Sequence, residues 1–76
     1  MELNEVVAMN ALQARQDLGL TQEELAARAG LSTRYVGAIE RATVSISITV
    51  LAQIATALNL EPTDLLRDPQ RTKRKN

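Results

Sequence analysis

The sequence predicts an all-α protein, a compact five-helix bundle in a single domain. Three observations lead there. Good N-cap residues stand ahead of apolar runs at Thr21, Ser32 and Ser47. Within those runs the apolar residues recur at intervals of three and four, the period of one helix face. Glycine or asparagine follows where a helix should stop, at Gly19, Gly30 and Asn59. Val44, Ile46 and Ile48 alternate like a strand, but no second strand is available to pair with them, so Arg41 to Ser47 reads as an extended loop.

In chain order, Asn4 is the expected N-cap of a first helix over about Glu5 to Asp17. Its apolar stripe is Val7, Ala11, Ala14 and Leu18, widened by Ala8 and Leu12. Thr21 caps the second helix, and Glu24 stands three residues on, the arrangement of a capping box. Leu25, Ala26 and Ala29 form its buried stripe. Gly30 ends it, because glycine enters the left-handed region without a Cβ penalty, and Leu31 packs into the angle that follows. Ser32 caps the third helix, whose inner stripe is Val36 and Ile39 with Tyr35 beside them. Its outer side shows Thr33, Arg34, Gly37, Ala38 and Arg41. Gly37 is unexpected inside a helix, where it costs about 1 kcal/mol against alanine. Close approach of a partner molecule or of a neighbouring helix would explain it.

Ser47 caps a fourth helix over about Ile48 to Leu58, with Ile48, Leu51, Ile54, Ala55 and Leu58 as its core stripe. That helix carries no charge, which suggests a second covered face at Val50 and Ala57. Asn59 provides a left-handed stop. Pro62 fits the first turn of a short fifth helix. One of Leu65 and Leu66 should be buried, leaving the other for a subunit contact. Residues 1–67 are the expected domain, and residues 68–76 the expected disordered basic tail.

The pair of helices around Gly30 carries a family resemblance. Gly19-Leu20-Thr21-Gln22-Glu23-Glu24-Leu25-Ala26, then Ala29-Gly30-Leu31-Ser32, then Tyr35-Val36 and Ile39-Glu40-Arg41 resemble the helix-turn-helix of the XRE family, the lambdoid phage repressor and Cro group. The resemblance runs from about Val7 to Leu66. It implies a lambda repressor-like DNA-binding domain in which the third helix enters the major groove. Base reading falls to Thr33, Arg34 and Ala38. Arg34 suits guanine O6 and N7, and the methyl groups of Thr33 and Ala38 suit thymine. Gln22, Arg28, Ser32, Tyr35, Arg41, Thr43 and Ser45 are the expected contacts to the DNA backbone. Gln22 should also buttress the third helix, and Arg15 should pair with Glu40. Where Ala42 stands the family usually has glycine, so the end of the third helix departs from the pattern.

Composition narrows the alternatives. The chain has no histidine and no cysteine, hence no thiolate or imidazole metal site and no disulfide. No cofactor and no enzymatic activity is expected. No apolar run approaches the roughly 18 residues of a membrane span, and the acidic start Met-Glu-Leu-Asn-Glu lacks a signal-peptide layout. A cytoplasmic location follows as an expectation. Net charge is zero but unevenly spread: residues 1–66 carry eight acids and four arginines, and residues 67–76 carry five basic residues and one acid. Ala27 to Ser47 holds three arginines against one glutamate, so the outer side of the third helix is locally basic.

The function expected is that of a sequence-specific transcriptional regulator, repressor-like, which binds a palindromic site on double-stranded DNA as a homodimer. Val50, Ala57, Leu65 and Leu66 are the candidate dimer residues. The alternative is an antitoxin or adaptor of the same fold whose main partner is a protein.

Overall fold

A computed structural model describes residues 1–69. Five helices follow one another: α1 Leu3–Asp17, α2 Gln22–Ala29, α3 Thr33–Glu40, α4 Ile48–Ala57 and α5 Pro62–Leu65. No strand occurs among the described residues. α2 packs on α3 and α4, α1 on α3 and α5, and α4 on α5. They enclose Ala11, Leu25, Ala26, Ala29, Val36, Ile39, Ile54, Ala55, Leu58 and Leu65, with no buried polar residue among those described. The core is built from small and aliphatic side chains. Alanines at the contacts let the helices approach closely.

The caps form as the sequence implies for α2, α3 and α4. Thr21 Oγ1 accepts from the Glu24 N–H at 3.0 Å, and the Glu24 carboxylate accepts from the Thr21 N–H at 2.8 Å. Ser32 Oγ accepts from the Tyr35 N–H at 3.0 Å, and Ser47 Oγ from the Val50 N–H at 3.1 Å. Gly30 and Asn59 both take positive φ, at 74° and 61°. After each, the next N–H reaches back five residues, Leu31 to the Ala26 carbonyl and Leu60 to that of Ala55.

Four expectations need correction. α1 begins at Leu3, with Glu2 as its cap and the Glu5 carboxylate accepting from the Glu2 N–H. Asn4 lies inside the helix, and its amide donates to the Ala42 carbonyl at 3.2 Å. Leu18 sits at the C-cap of α1, where the chain has left the core face, and is 44% exposed. Ile48 is the first residue of α4 and points outward, 86% exposed, so the packed side of that helix starts at Val50 and Leu51. Ala57 is buried in the monomer's own core, because the face of α4 that carries it packs inward, whereas Leu65 is the buried member of the Leu65–Leu66 pair, as expected, and packs between α1 and α4. Neither is available to a second subunit. Val50 is half-buried against the core, and Leu66 is exposed.

The outward Ile48 has company. Leu3, Ile46, Ile48, Leu51 and Leu66 line an open groove of about 380 Å³ between the start of α1, the start of α4 and the end of α5. Asn10 fixes one edge of this region by donating both amide hydrogens, to the Leu65 carbonyl at 2.8 Å and the Arg67 carbonyl at 2.7 Å. Of the expected tail, Asp68 and Pro69 are described, and Gln70 to Asn76 lie outside the described residues.

Candidate nucleic-acid interface

The orientation of α3 is set by one carboxylate. Glu40 is the only acid in α3 and lies in its last turn, where the helix dipole disfavours a negative charge. It is nevertheless accommodated, because it turns inward and meets three donors. Arg15 Nε donates to Oε2 at 2.6 Å, Arg15 Nη2 to Oε1 at 3.1 Å, and Gln22 Nε2 to the same Oε1 at 2.9 Å. The two charged side chains are only 14% and 5% exposed. Arg15 spends a further donor on the Leu20 carbonyl at 2.8 Å, in the turn between α1 and α2. The hydrogen bond to Glu40 raises the Arg15 pKa above its ordinary value, against the opposing effect of burial. One fork thus ties α1, the entry to α2 and the end of α3 together. A bidentate arginine–carboxylate pair has strict geometry, so it fixes direction even where its net contribution to stability is small.

With Glu40 drawn inside, the outer face of α3 is left without an acid. Thr33 and Arg34 are exposed in its first turn, Ala38 is half-exposed one turn on, and Arg41 is exposed at its end. Ser32 stands at the N-cap with its hydroxyl oxygen occupied by the Tyr35 N–H, which leaves the hydroxyl proton available to an external acceptor. Tyr35 is half-buried, and its ring packs against the core. Gln22 is brought to this face through Glu40. Arg28 is exposed in the last turn of α2, and no hydrogen bond or ion pair ties it to the others among the described residues.

The end of α3 is stricter than the sequence suggested. Ala42 adopts the left-handed conformation that glycine usually supplies, with φ 60°. The Ala42 N–H donates to the Ile39 carbonyl, and the Thr43 N–H to the Ala38 carbonyl at 3.0 Å. Thr43 adds its hydroxyl to that same Ala38 oxygen at 3.1 Å. Ser45, two residues later, is exposed. The tie from Asn4 to the Ala42 carbonyl and the tie from Gln53 Nε2 to the Ala29 carbonyl at 3.0 Å were not visible in the sequence. Both are single amides joining distant segments, and a lone Asn or Gln carries no spacing signal.

Among the described residues no group of acids could hold a metal ion, and no helix is long and apolar enough to cross a membrane.

Comparison with known proteins agrees with this geometry. Residues 12–65 match a family model described as helix-turn-helix. An uncharacterized HTH-type transcriptional regulator of Sinorhizobium fredii, y4dJ, is 32% identical over 72 residues, covering 95% of this chain and 94% of its own length. The hypothetical transcription factor NHTF from Neisseria superposes with a TM-score of 0.92 at 35% identity, over 99% of this chain and 86% of that one. The restriction-modification controller protein C.AhdI from Aeromonas hydrophila superposes with a TM-score of 0.79, also at 35% identity, over 82% of this chain and 94% of that one. The chain belongs to the XRE family of helix-turn-helix proteins, DNA-binding transcriptional regulators rather than enzymes.

Proposed function

We propose that the protein is a repressor-like regulator that reads a palindromic DNA site as a homodimer, with α3 of each subunit in the major groove. The observation that carries this is the outer face of α3, where Thr33, Arg34, Ala38 and Arg41 stand without an acid because Glu40 is turned against Arg15 and Gln22. Arg34 is the principal base reader, through a bidentate contact to guanine. Thr33 and Ala38 offer methyl groups to thymine. Gln22, Arg28, Ser32, Tyr35, Arg41, Thr43 and Ser45 are the candidates for phosphate and sugar. Thr43 is the weakest of them, since its N–H and its hydroxyl already serve the Ala38 carbonyl.

The dimer rests on the apolar groove. Ile48 protrudes at its rim, beside a trough lined by Leu3, Leu51 and Leu66. A two-fold contact brings the same patch of each subunit together, so the Ile48 of one copy can enter the trough of the other. Of the four dimer candidates Val50, Ala57, Leu65 and Leu66, this reading keeps Leu66 and adds Leu3 and Ile48 in place of the other three. The likeness to C.AhdI, a restriction-modification controller protein, supports a gene-control role of this kind.

Selection of sites from a random duplex pool, with wild type and Arg34→Ala in parallel at two salt concentrations, tests the reading. A palindrome enriched by the wild type, with preference lost at one symmetric base pair in Arg34→Ala, is the expected result. Binding that enriches nothing and vanishes with salt overturns it and directs attention to a protein partner at the groove.

A further inference from the structure

Gly37 is the one glycine of this chain inside a helix, at a position where alanine would favour the helix more. It is buried, although it has no side chain to bury. Two polar side chains from other positions cover it. A Cβ placed on Gly37 would lie 3.1 Å from Arg41 Nη1, 3.8 Å from Gln22 Oε1 and 3.9 Å from Gln22 Nε2. The Arg41 guanidinium therefore folds back one turn along α3 and rests in the notch, beside the amide that leads α2.

The donor accounting at this notch is uneven. Gln22 Nε2 gives one hydrogen to Glu40 and has a second. The Arg41 side chain makes no hydrogen bond or ion pair among the described residues, although a guanidinium carries five N–H donors. The neighbouring Arg15–Glu40 pair cancels its own charge, so Arg41 supplies the net positive charge at this point. Two sets of donors converge where α2 starts beside α3, and a fork of this kind matches the oxygens of a phosphate.

We propose that Gly37 is a positioning residue whose missing side chain seats the Arg41 guanidinium beside the Gln22 amide, so that the two grip one phosphate of the DNA backbone. This rests on the reading of α3 as the groove-reading helix and adds to it. The glycine serves a contact made by another residue. It is not there merely to let the DNA approach α3. The two explanations differ in what happens when Arg41 is removed.

The test measures affinity for the selected duplex against salt concentration, for wild type, Gly37→Leu, Arg41→Ala and the double variant, with thermal melting of each. Leucine fills the notch and is a better helix former than glycine, so Gly37→Leu is expected to melt no lower than wild type. Arg41→Ala should weaken binding roughly five- to tenfold and lower the slope of log affinity on log salt by about one, the signature of one lost phosphate contact. Gly37→Leu should lower the slope equally. In the Arg41→Ala background it should cost no more than about a further twofold, because the group it displaces is already gone.

Should Gly37→Leu fail to fold, Gly37→Ala carries the same double-variant comparison with a smaller displacement of Arg41. A wild type that binds, with Gly37 variants that leave the salt slope unchanged, overturns the seat and leaves the groove-reading function intact. Equal losses with and without Arg41 also overturn it, since the added side chain then blocks the DNA directly. A wild type that binds no duplex overturns both readings.

Discussion

Two faces of this small protein are built on different principles. The α2–α3 face is fixed by directional polar bonds: the Arg15 fork on Glu40, the Gln22 amide on the same carboxylate and the Thr43 donors on the Ala38 carbonyl. The face formed by the starts of α1 and α4 and the end of α5 exposes Leu3, Ile48 and Leu66 around an open trough. Directional bonds hold side chains at fixed positions, which reading base edges demands. Apolar area is non-directional and contributes mainly in proportion to what it buries. The contrast fits the proposed division, with recognition on the first face and association on the second.

The largest expected effect breaks the polar face. Glu40→Ala removes the partner of an arginine that is only 14% exposed, and leaving such a charge unpaired costs about 3–5 kcal/mol. Urea denaturation would register it as a large fall in the midpoint. Glu40→Gln keeps an acceptor for Arg15 and should lose clearly less. A loss well under about 1 kcal/mol in Glu40→Ala would show that Arg15 escapes to water and that the fork does not fix α3.

The association face is tested by Ile48→Asp. An isoleucine passing from exposed to buried contributes about 1.5–3 kcal/mol, and a symmetric dimer loses two of them. Sedimentation should show dissociation weakened at least roughly tenfold towards monomer, while the monomer's own stability moves by no more than about 0.5 kcal/mol, as expected of an exposed site. Unchanged sedimentation would place the subunit contact elsewhere.

On the recognition face, Arg34→Ala should cost roughly 1–3 kcal/mol of discrimination at one symmetric base pair. The Arg34 side chain is exposed and has no hydrogen-bond or ion-pair partner among the described residues, so its removal should leave folding nearly unchanged. Equal weakening on every sequence, with a shallower salt dependence, would recast Arg34 as a phosphate contact.

Most of the helical framework was legible because it is local. Thr21 with Glu24, Ser32 and Ser47 announce helix starts within four residues of themselves, and Gly30 announces a stop. The resemblance carried Arg15 to Glu40 across 25 positions, which periodicity could not. The failures concern facing. Ile48 satisfies the apolar spacing of α4 yet lies at its first turn, beyond the reach of the core, and Ala57 looks spare on the helix wheel yet is buried. Asn4 resembles a cap, and only the folded chain shows its amide spent on the Ala42 carbonyl. Which side of a short helix faces inward depends on where its neighbours sit, and a stripe of small aliphatic residues leaves more than one answer open.

The smallest effect compares the two turns that bracket α3. Gly30 and Ala42 both take the left-handed conformation, at φ 74° and 60°. Only the first is a glycine. An L-residue there costs about 1–2 kcal/mol, partly offset by the greater freedom of glycine in the unfolded chain. Ala42→Gly should therefore stabilise by roughly 1 kcal/mol, raising the melting temperature of a domain this size by about 4–8 °C. Gly30→Ala should shift it the other way by a similar amount. The nearest atom to an added Cβ there, Gln53 Nε2 at 3.7 Å, is at ordinary contact distance, so strain alone sets that loss. Affinity for the selected duplex then decides what the strained alanine does. If Ala42→Gly melts higher and binds equally well, the turn needs only its shape, which Asn4 and Thr43 hold from outside. If it melts higher but binds less well, the stiffness of the alanine aims Arg41 and the following loop at the DNA, and stability has been given up for that aim.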